Sequence, residues 1–373
     1  MNILALEPYY GGSHRAFIDV FSKASRHNWT VLTLPAHKWK WRMRHSAITF
    51  AWQADELMKK NQSWDLLFCS DMLNLAEFVA LAPSVITGIP KVIYFHENQL
   101  TYPVRVENER DYQFAMTNLT SAMAADAVWF NSQFHLNSFL DALAKFLKSM
   151  PDYQPLEVID KIRAKSSVSP PGIADFPERK TRKPGPMRIL WAARWEHDKN
   201  PEDFFEAIKI LKDKKVPFRI IIIGQSFRDR PEIFEQAHND FHDHIDLWGY
   251  QQSRGDYERA LYEADVAVST ANHEFFGIGI VEAVAAGAYP LVPNRLSYPE
   301  IFGLGRIEGA EQFFYDGTVK NLADKLSRLA TRIEKGNLWP STISPAELTD
   351  HLRWNNLTNL YDKALEQILQ TAE

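Results

Sequence analysis

The sequence holds a single cysteine, Cys69, in 373 residues. That excludes a disulfide framework and suits a reducing compartment. Its setting, LLFCS, is apolar, so a structural thiol is expected before a reactive one. Long hydrophobic runs are missing too: none approaches the ~18–20 residues of a membrane span. The opening MNILALEPYYGG has no basic stretch ahead of its apolar core. It is expected to be a first strand and not a signal peptide, which points to a cytoplasmic protein. G-x-G-x-x-G is absent, which leaves a dinucleotide-binding reading weak. A positive balance is also absent. The formal net charge is −5, which argues against nonspecific coating of nucleic acid. The balance is uneven, however: residues 1–184 hold 21 Lys/Arg against 18 Asp/Glu, and residues 185–373 hold 21 against 29. A local basic site on the first half stays open.

What remains is the composition of a globular protein, 45% hydrophobic and 24% charged, with a length that supports two domains, each with its own core. Aromatic residues are plentiful at 11 Trp, 13 Tyr and 23 Phe, enough to fill cores and leave faces for sugars or bases.

Residues 272–294, NHEFFGIGIVEAVAAGAYPLVPN, carry the densest signal. They predict a loop, a helix start, a closely packed helix and a strand. Gly277 and Gly279, interleaved with Phe276 and Ile278, leave backbone N–H groups uncovered at the helix start. Such an end has unsatisfied donors and partial positive charge, which suits a phosphate. Glu274 precedes the helix, and Glu282 falls about one and a half turns later. A carboxylate there can accept two hydrogen bonds from a vicinal diol such as a ribose. The pair can equally be solvated charges on a capped surface helix, because short motifs match by chance.

From the beginning, NILALEP predicts a strand that ends at Gly11 and Gly12 and leads into an amphipathic helix, the opening of a Rossmann-like unit. The glycines either let the backbone approach a ligand or make a tight turn. Ser13 and His14 add polar groups at the same mouth. After a second strand, TVLTLP, the cations Lys38, Lys40, Arg42 and Arg44 alternate with Trp39, Trp41 and Met43. Cations there can meet phosphates while indoles stack on bases or sugars. Alternatively, the Trp side chains pack inward from an amphipathic edge segment. KVIYF predicts a strand running into His96, Glu97, Asn98 and Gln99. Four polar groups at the C-terminal end of a strand stand where α/β proteins place ligand sites. ENERDYQFAMTNLTSAMAAD predicts a helix, and AVWF a strand ending at Asn131 and Ser132.

Residues 145–165 form a Pro-containing insertion of mixed charge. Pro, Gly and charge then concentrate at 169–187, which is linker composition. Domains are expected at 1–170 and 188–344, with a linker at 171–187. In the second domain RILWAA predicts a strand leading to Arg194 and Lys199, which can clamp a diphosphate or sit in a surface ion-pair loop. RIIIIG predicts a buried strand. His238 and His242, near His244, have an i,i+4 spacing that a metal can use; a solvated helix face is the plainer expectation. Residues 345–373 predict a final helix that buries Trp354, Leu357, Leu360 and Leu365.

Two resemblances sharpen this. E-x7-E before an AAG-containing helix, met at Glu274 and Glu282, resembles the donor site of retaining glycosyltransferases of family 4. Their α/β fold, GT-B, has two Rossmann-like domains with parallel sheets facing across a cleft. The resemblance implies that Glu274 lies by the sugar and Glu282 binds the ribose. It implies that Arg194 and Lys199 hold the diphosphate with Gly11 and Gly12 near it, and that Gly249 and Tyr250 of DLWGY read the base. Phe276, Gly277, Ile278 and Gly279 complete the donor loop. His96 would contact the sugar beside the acceptor, so His96 and Glu274 are the implied catalytic residues. The last helix would return to the first domain.

The first half is more specific. YYGGSHRAF, LPAHKWKWRMRHSA, YFHENQLTYPV and ERDYQF together resemble the tRNA-queuosine α-mannosyltransferases. The implied reaction carries mannose from GDP-mannose to a hydroxyl of queuosine in the anticodon of tRNA of the tRNA-Asp type. Acceptor contacts would fall to His14, Lys38, Trp39, Lys40, Trp41, Arg42, Arg44, Asn98, Gln99 and Tyr102. The implied partners are a nucleotide-sugar and tRNA, with no membrane. No cofactor and no metal is implied, and no D-x-D lies in a plausible loop. The sequence is silent on oligomeric state. A related GT-B hexosyltransferase with another donor, or with a glycan or lipid acceptor, stays open. So does a non-catalytic RNA-binding protein of this fold, although such a module need not keep Glu274, Glu282, Arg194 and Lys199 together.

Overall fold

The computed structural model describes residues 1–103, 111–177, 179, 181–227 and 230–372. The chain divides into two compact units. Unit 1 is Met1–Gly172 with Trp354–Glu373, and unit 2 is Ile173–Arg353.

Unit 1 holds a six-stranded sheet of β1 (Asn2–Tyr10), β2 (Asn28–Pro35), β3 (Leu66–Ser70), β4 (Lys91–Phe95), β5 (Ala127–Phe130) and β6 (Ser166–Val168). The order is β2-β1-β3-β4-β5-β6 and every pairing is parallel. The central strands are near-continuous apolar runs because both faces are covered. On one face lies α2 (Trp39–Met58), through Ala47, Phe50 and Ala54. On the other lie α1 (Gly12–Ala24), through Phe17 and Phe21, and the helix Trp354–Ala372. Cys69 is buried in β3, and burial pushes its thiol well above the usual range, so it stays protonated and inert.

Unit 2 repeats the plan with β7 (Met187–Ala192), β8 (Phe218–Ile223), β9 (Ile245–Gly249), β10 (Val266–Val268), β11 (Tyr289–Pro293) and β12 (Phe314–Tyr315). Its order is β12-β11-β10-β7-β8-β9, again parallel. In each unit the chain builds outward to one side of its first strand and then crosses to the other. The crossing points lie between β1 and β3 and between β7 and β10. Open α/β sheets bind ligands outside the carboxyl ends of the strands at such points.

Several local expectations change. Within 171–187, described residues are fastened to unit 2. Arg179 Nη2 and Arg182 Nη2 reach the two oxygens of buried Asp265 at 3.1 and 2.9 Å, and Ile173 bridges Arg353. Residues 345–353 stay with unit 2. The helix begun at ENERDYQF runs Tyr112–Ala124 and is capped by Asp111, whose carboxylate accepts from the Gln113 N–H; positions 107–110 lie outside the described residues. The 145–165 insertion holds a short helix, Glu157–Ala164, and Lys165, whose Nζ donates to the Met123 and Ala125 carbonyls at the end of helix Tyr112–Ala124.

The final helix buries Trp354, Leu357 and Leu365 as expected, but Leu360 is 58% exposed and Tyr361 takes its place. At ~100° per residue, Leu360 points away from the line through 354, 357, 361 and 365. Trp354 stacks on Phe21 with centroids 5.9 Å apart, and Tyr361 meets Trp129 at 5.4 Å. Leu365→Ala should therefore lower unfolding free energy by about 2–5 kcal/mol, and Leu360→Ala by no more than about 0.5 kcal/mol, in urea titrations.

Candidate active site

In unit 2 the loop after β7 and the loop after β10 meet. Lys199 is buried, with its Nζ 2.8 Å from the His273 carbonyl, 3.3 Å from Glu274 Oε2 and 3.0 Å from Asp198 Oδ2. Burial alone would lower the Lys199 ammonium, but Glu274 and Asp198 outweigh it and hold its pKa above the usual value. Burial would likewise raise Glu274; Lys199 reverses this and holds the carboxylate ionised. His273 beside them is pushed down to about 4, by burial first and then by the Lys199 charge. Arg194, at the end of the same strand, lies 3.3 Å from Glu196. The expected Arg194–Lys199 region and Glu274 are thus brought together. Lys199 is buried and paired with Glu274, so it does not lie in a surface ion-pair loop.

The helix after them runs Ile278–Ala285 and no side chain caps its start. Gly277 precedes it at φ 84°, and a Cβ there would meet Tyr298 Cε1 at 2.7 Å, so only glycine fits. Ile278 and Gly279 form the first turn, and Phe276 is buried beneath it. A cavity of about 30 Å³ lies among Lys199, Glu274, Gly277, Gly279 and Tyr298. Glu282 is on the same helix and buried. Arg254 Nη2 donates to its Oε1 at 2.8 Å and the Tyr257 hydroxyl to its Oε2 at 2.7 Å. Each oxygen of Glu282 already accepts one bond, so a diol would meet a carboxylate oriented in advance through its remaining lone pairs. Gly249 ends β9, and Tyr250 after it is exposed.

In unit 1 a polar cluster sits at the ends of β1, β3 and β4. Glu7 is buried on β1, just before a register shift in the β1–β2 pairing. Its Oε1 accepts from the Tyr9 N–H at 2.8 Å and the Ser70 hydroxyl at 3.1 Å, and lies 3.2 Å from His14 Nδ1. His14 projects from α1, which starts at Gly12; a Cβ on Gly11 would meet Ala36 Cβ at 2.4 Å. The His14 ring lies 4.0 Å from the His96 ring, centroid to centroid, at 32°. Burial would lower the His14 imidazole, but Glu7, Asp71 and Glu97 raise it to about 9. His96 goes the other way, well below the usual range, through burial and the neighbouring His14 charge. An imidazolium therefore faces a neutral imidazole. Asp71 Oδ1 accepts from the His96 N–H at 2.8 Å, and Asn131 donates to the His96 carbonyl at 2.9 Å. Asp71 Oδ2 is buried with no hydrogen-bond partner among the described residues. Burial raises the Asp71 carboxyl.

Other expected acceptor residues divide. Asn98 is wholly buried, and its Oδ1 accepts from the backbone N–H groups of Leu100 and Thr101. Gln99 is buried as well, its amide 3.3 Å from Glu97. Both shape the turn that carries the Tyr102 N–H to the Asn98 carbonyl, so neither presents a free amide as expected. The basic-aromatic stretch is helical from Trp39 onward. Met43 is buried and Trp39 half-buried, while Lys38, Lys40, Trp41 and Arg44 are exposed. Arg42 donates to the Pro35 carbonyl at 2.9 Å, and Arg44 lies 3.6 Å from Asp111.

Among the described residues, one group brings metal-ligand types together: Glu7, His14 and His96 each offer an atom, all within 4.8 Å of one another. Their present contacts are the Glu7–His14 ion pair and a tilted contact between the two imidazole rings. His238 and His242 do not share a helix face, because the helix Ile233–Asp240 ends between them. Sequence patterns missed Glu7, Asp71, Asp198, Arg254 and Tyr257. The available signal was a charged residue inside or just after an apolar strand, as in NILALEP and LLFCSD.

The family profile "tRNA-queuosine alpha-mannosyltransferase N-terminal" matches residues 2–173, and "Glycosyl transferases group 1" matches residues 173–336. A tRNA-queuosine alpha-mannosyltransferase of Drosophila melanogaster is 38% identical over 313 residues, 81% of this chain and 81% of that protein. The chain belongs to this family. The tRNA-queuosine α-mannosyltransferases are glycosyltransferases, and this member has the GT-B fold. Sucrose-phosphate synthase from Thermosynechococcus elongatus superposes with TM-score 0.70 at 14% identity, covering 100% of both chains. HepE of Anabaena, solved in complex with UDP, superposes with TM-score 0.67 at 15% identity, covering 98% of this chain and 100% of that one. No helix among the described residues of this family member is long and apolar enough to cross a membrane.

The raised His14 pKa has a defined pH window. Its charge stabilises the fold fully below pH 6.5, and that contribution is lost as pH rises through about 9. Histidine NMR should show the His14 imidazole titrating near pH 9 in the wild type. In Glu7→Gln it should titrate well below that, because the largest favourable charge is gone.

Proposed function

We propose that this protein transfers mannose from GDP-mannose to queuosine in the anticodon of tRNA-Asp, with retention at the anomeric carbon. The observation that carries this is the 38% identity across four-fifths of the chain to a tRNA-queuosine alpha-mannosyltransferase. The buried Lys199–Glu274 pair at the β7/β10 crossing supports it, because a non-catalytic binding module need not keep Lys199, Glu274, Arg194 and Glu282 together. A cytoplasmic location goes with that acceptor.

In unit 2, Arg194, Lys199 and the uncapped helix start at Gly277 and Gly279 supply positive potential for the diphosphate. Glu282, held by Arg254 and Tyr257, takes the ribose hydroxyls. Gly249 and Tyr250 take the base, and Glu274 orients the hexose. In unit 1, His96 contributes a neutral imidazole to the sugar. His14 and the Lys38–Arg44 segment meet the tRNA. The acceptor oxygen bonds to the anomeric carbon as the bond from that carbon to the diphosphate oxygen breaks. The acceptor proton passes to a phosphate oxygen, and GDP leaves. Arg194 and Lys199 carry the charge that a divalent cation carries in other nucleotide enzymes.

Incubation with GDP-mannose and bulk queuosine-containing tRNA, followed by nucleoside mass spectrometry, should show one added hexose on queuosine. Glu274→Gln should reduce turnover about 100-fold or more while the protein stays folded; near-normal turnover would sink the assignment. Transfer should also persist in excess EDTA. Activity that disappears with the chelator and returns with a single divalent metal would overturn the metal-free scheme.

A further inference from the structure

Unit 1 buries one face of α2 and leaves the other in water. Met43, Ala47, Phe50, Ala51 and Ala54 are buried. On the opposite side Trp41 is 61% exposed, Ile48 39% and Trp52 70%. Positions 41, 48 and 52 are two turns and then one turn apart, so their side chains form one ridge. At ~1.5 Å per residue it extends about 16 Å. A solvent-facing helix surface that needs only solubility carries polar groups. Two exposed indoles on one line, Trp52 and Trp41 with its ring 4.9 Å from that of His45, instead offer ring area to a partner.

The two ends of the ridge differ. Lys38 and Lys40 are exposed at the N-terminal end, and Arg44 lies beside them with its guanidinium 4.8 Å from the Phe114 ring. This end adjoins the candidate site. Trp39 packs in one cluster with Tyr9, two residues before Gly11, and with Met72, next to Asp71. From there α2 runs back along the sheet and carries Trp52 about 20 Å from the strand ends, counted from Trp39 at ~1.5 Å per residue.

We propose that the Trp41–Ile48–Trp52 ridge is a docking track for the body of an RNA acceptor, leading away from the site where its modified base would react. This rests on the tRNA reading above. A polyanion suits the cationic end, and indole faces suit bases and riboses. Only a polymer spans the distance; a nucleoside at the strand ends cannot reach Trp52. A membrane surface fits less well, because the apolar face of α2 is already used by the core and just three side chains are left to insert.

The test compares wild type, Trp52→Ala and Trp41→Ala/Trp52→Ala for affinity to full-length queuosine-containing tRNA and to GDP-mannose. Since both side chains are exposed, melting temperatures should match the wild type. Trp52→Ala should weaken tRNA binding by about ten-fold or more, the order of one lost base–indole stack, with GDP-mannose affinity unchanged. If the wild type binds tRNA and both variants bind it equally well, the track is overturned while the transferase reading stands. If the wild type does not bind tRNA, both fall together. If the wild type but not the double variant sediments with phosphatidylserine vesicles, and tRNA affinity is unaffected, the ridge serves a membrane surface and the RNA assignment is overturned.

Discussion

Burying an ammonium costs several kcal/mol unless its charge and its protons are all answered, and the loops at the β7/β10 crossing are shaped by answering Lys199. Three oxygens surround its Nζ, one each from His273, Glu274 and Asp198. The backbone follows the same logic. Thr270 Oγ1 donates to the Lys199 carbonyl at 2.9 Å, and the Asn272 N–H donates to the Asp198 carbonyl at 2.8 Å. Two loops that begin on different strands are thereby tied into one surface. Glu274 gains its position and its charge from the same contact, so it is a fixed carboxylate around neutral pH and not a proton carrier. The glycines beyond it can then begin a helix with open N–H groups.

Unit 1 solves a related problem with the signs exchanged. Glu7 lies inside an apolar strand, and its Oε1 is met by a backbone N–H, a hydroxyl and the His14 ring. Burial first, and then the charge on His14 beside it, keep His96 neutral. Two histidines 4.0 Å apart therefore differ in protonation, although each taken alone titrates near the same pH. A neutral ring can accept or donate one hydrogen bond according to its partner; a cation can only donate.

The large features were legible because they are written locally. Apolar runs ending in glycine or polar residues gave both sheets, and Glu274 just before one short helix and Glu282 on it flank a start marked by Gly277. What escaped was set by tertiary contact. The alternation at Lys38–Arg44 set no secondary structure, and the segment is helical from Trp39, because Met43, Ala47 and Phe50 recur at helical spacing toward the core. Asn98 looks like a ligand group by composition, but the turn after β4 takes its amide. Leu360 and Tyr361 are adjacent in sequence, so a shift of one residue in helix phase exchanges the buried side chain for the exposed one. Glu7 and Asp71 each look like a lone charge, and only strand pairing brings them to the same pair of histidines. The donors to Glu282 come from a helix 25 and more residues earlier, a separation no short motif records.

The return of the last helix to unit 1 has a temporal side. Ser25 and Arg26 bond to Asp362 across more than 330 residues, and Phe17, Phe21 and Trp129 find their cover on that helix. Unit 2, by contrast, is one uninterrupted stretch. On the ribosome its roughly 180 residues emerge over roughly ten to forty seconds, and throughout that interval the α1 side of unit 1 has no lid over its aromatic residues. The nascent first half therefore keeps an apolar face uncovered until the helix Trp354–Ala372 has been made.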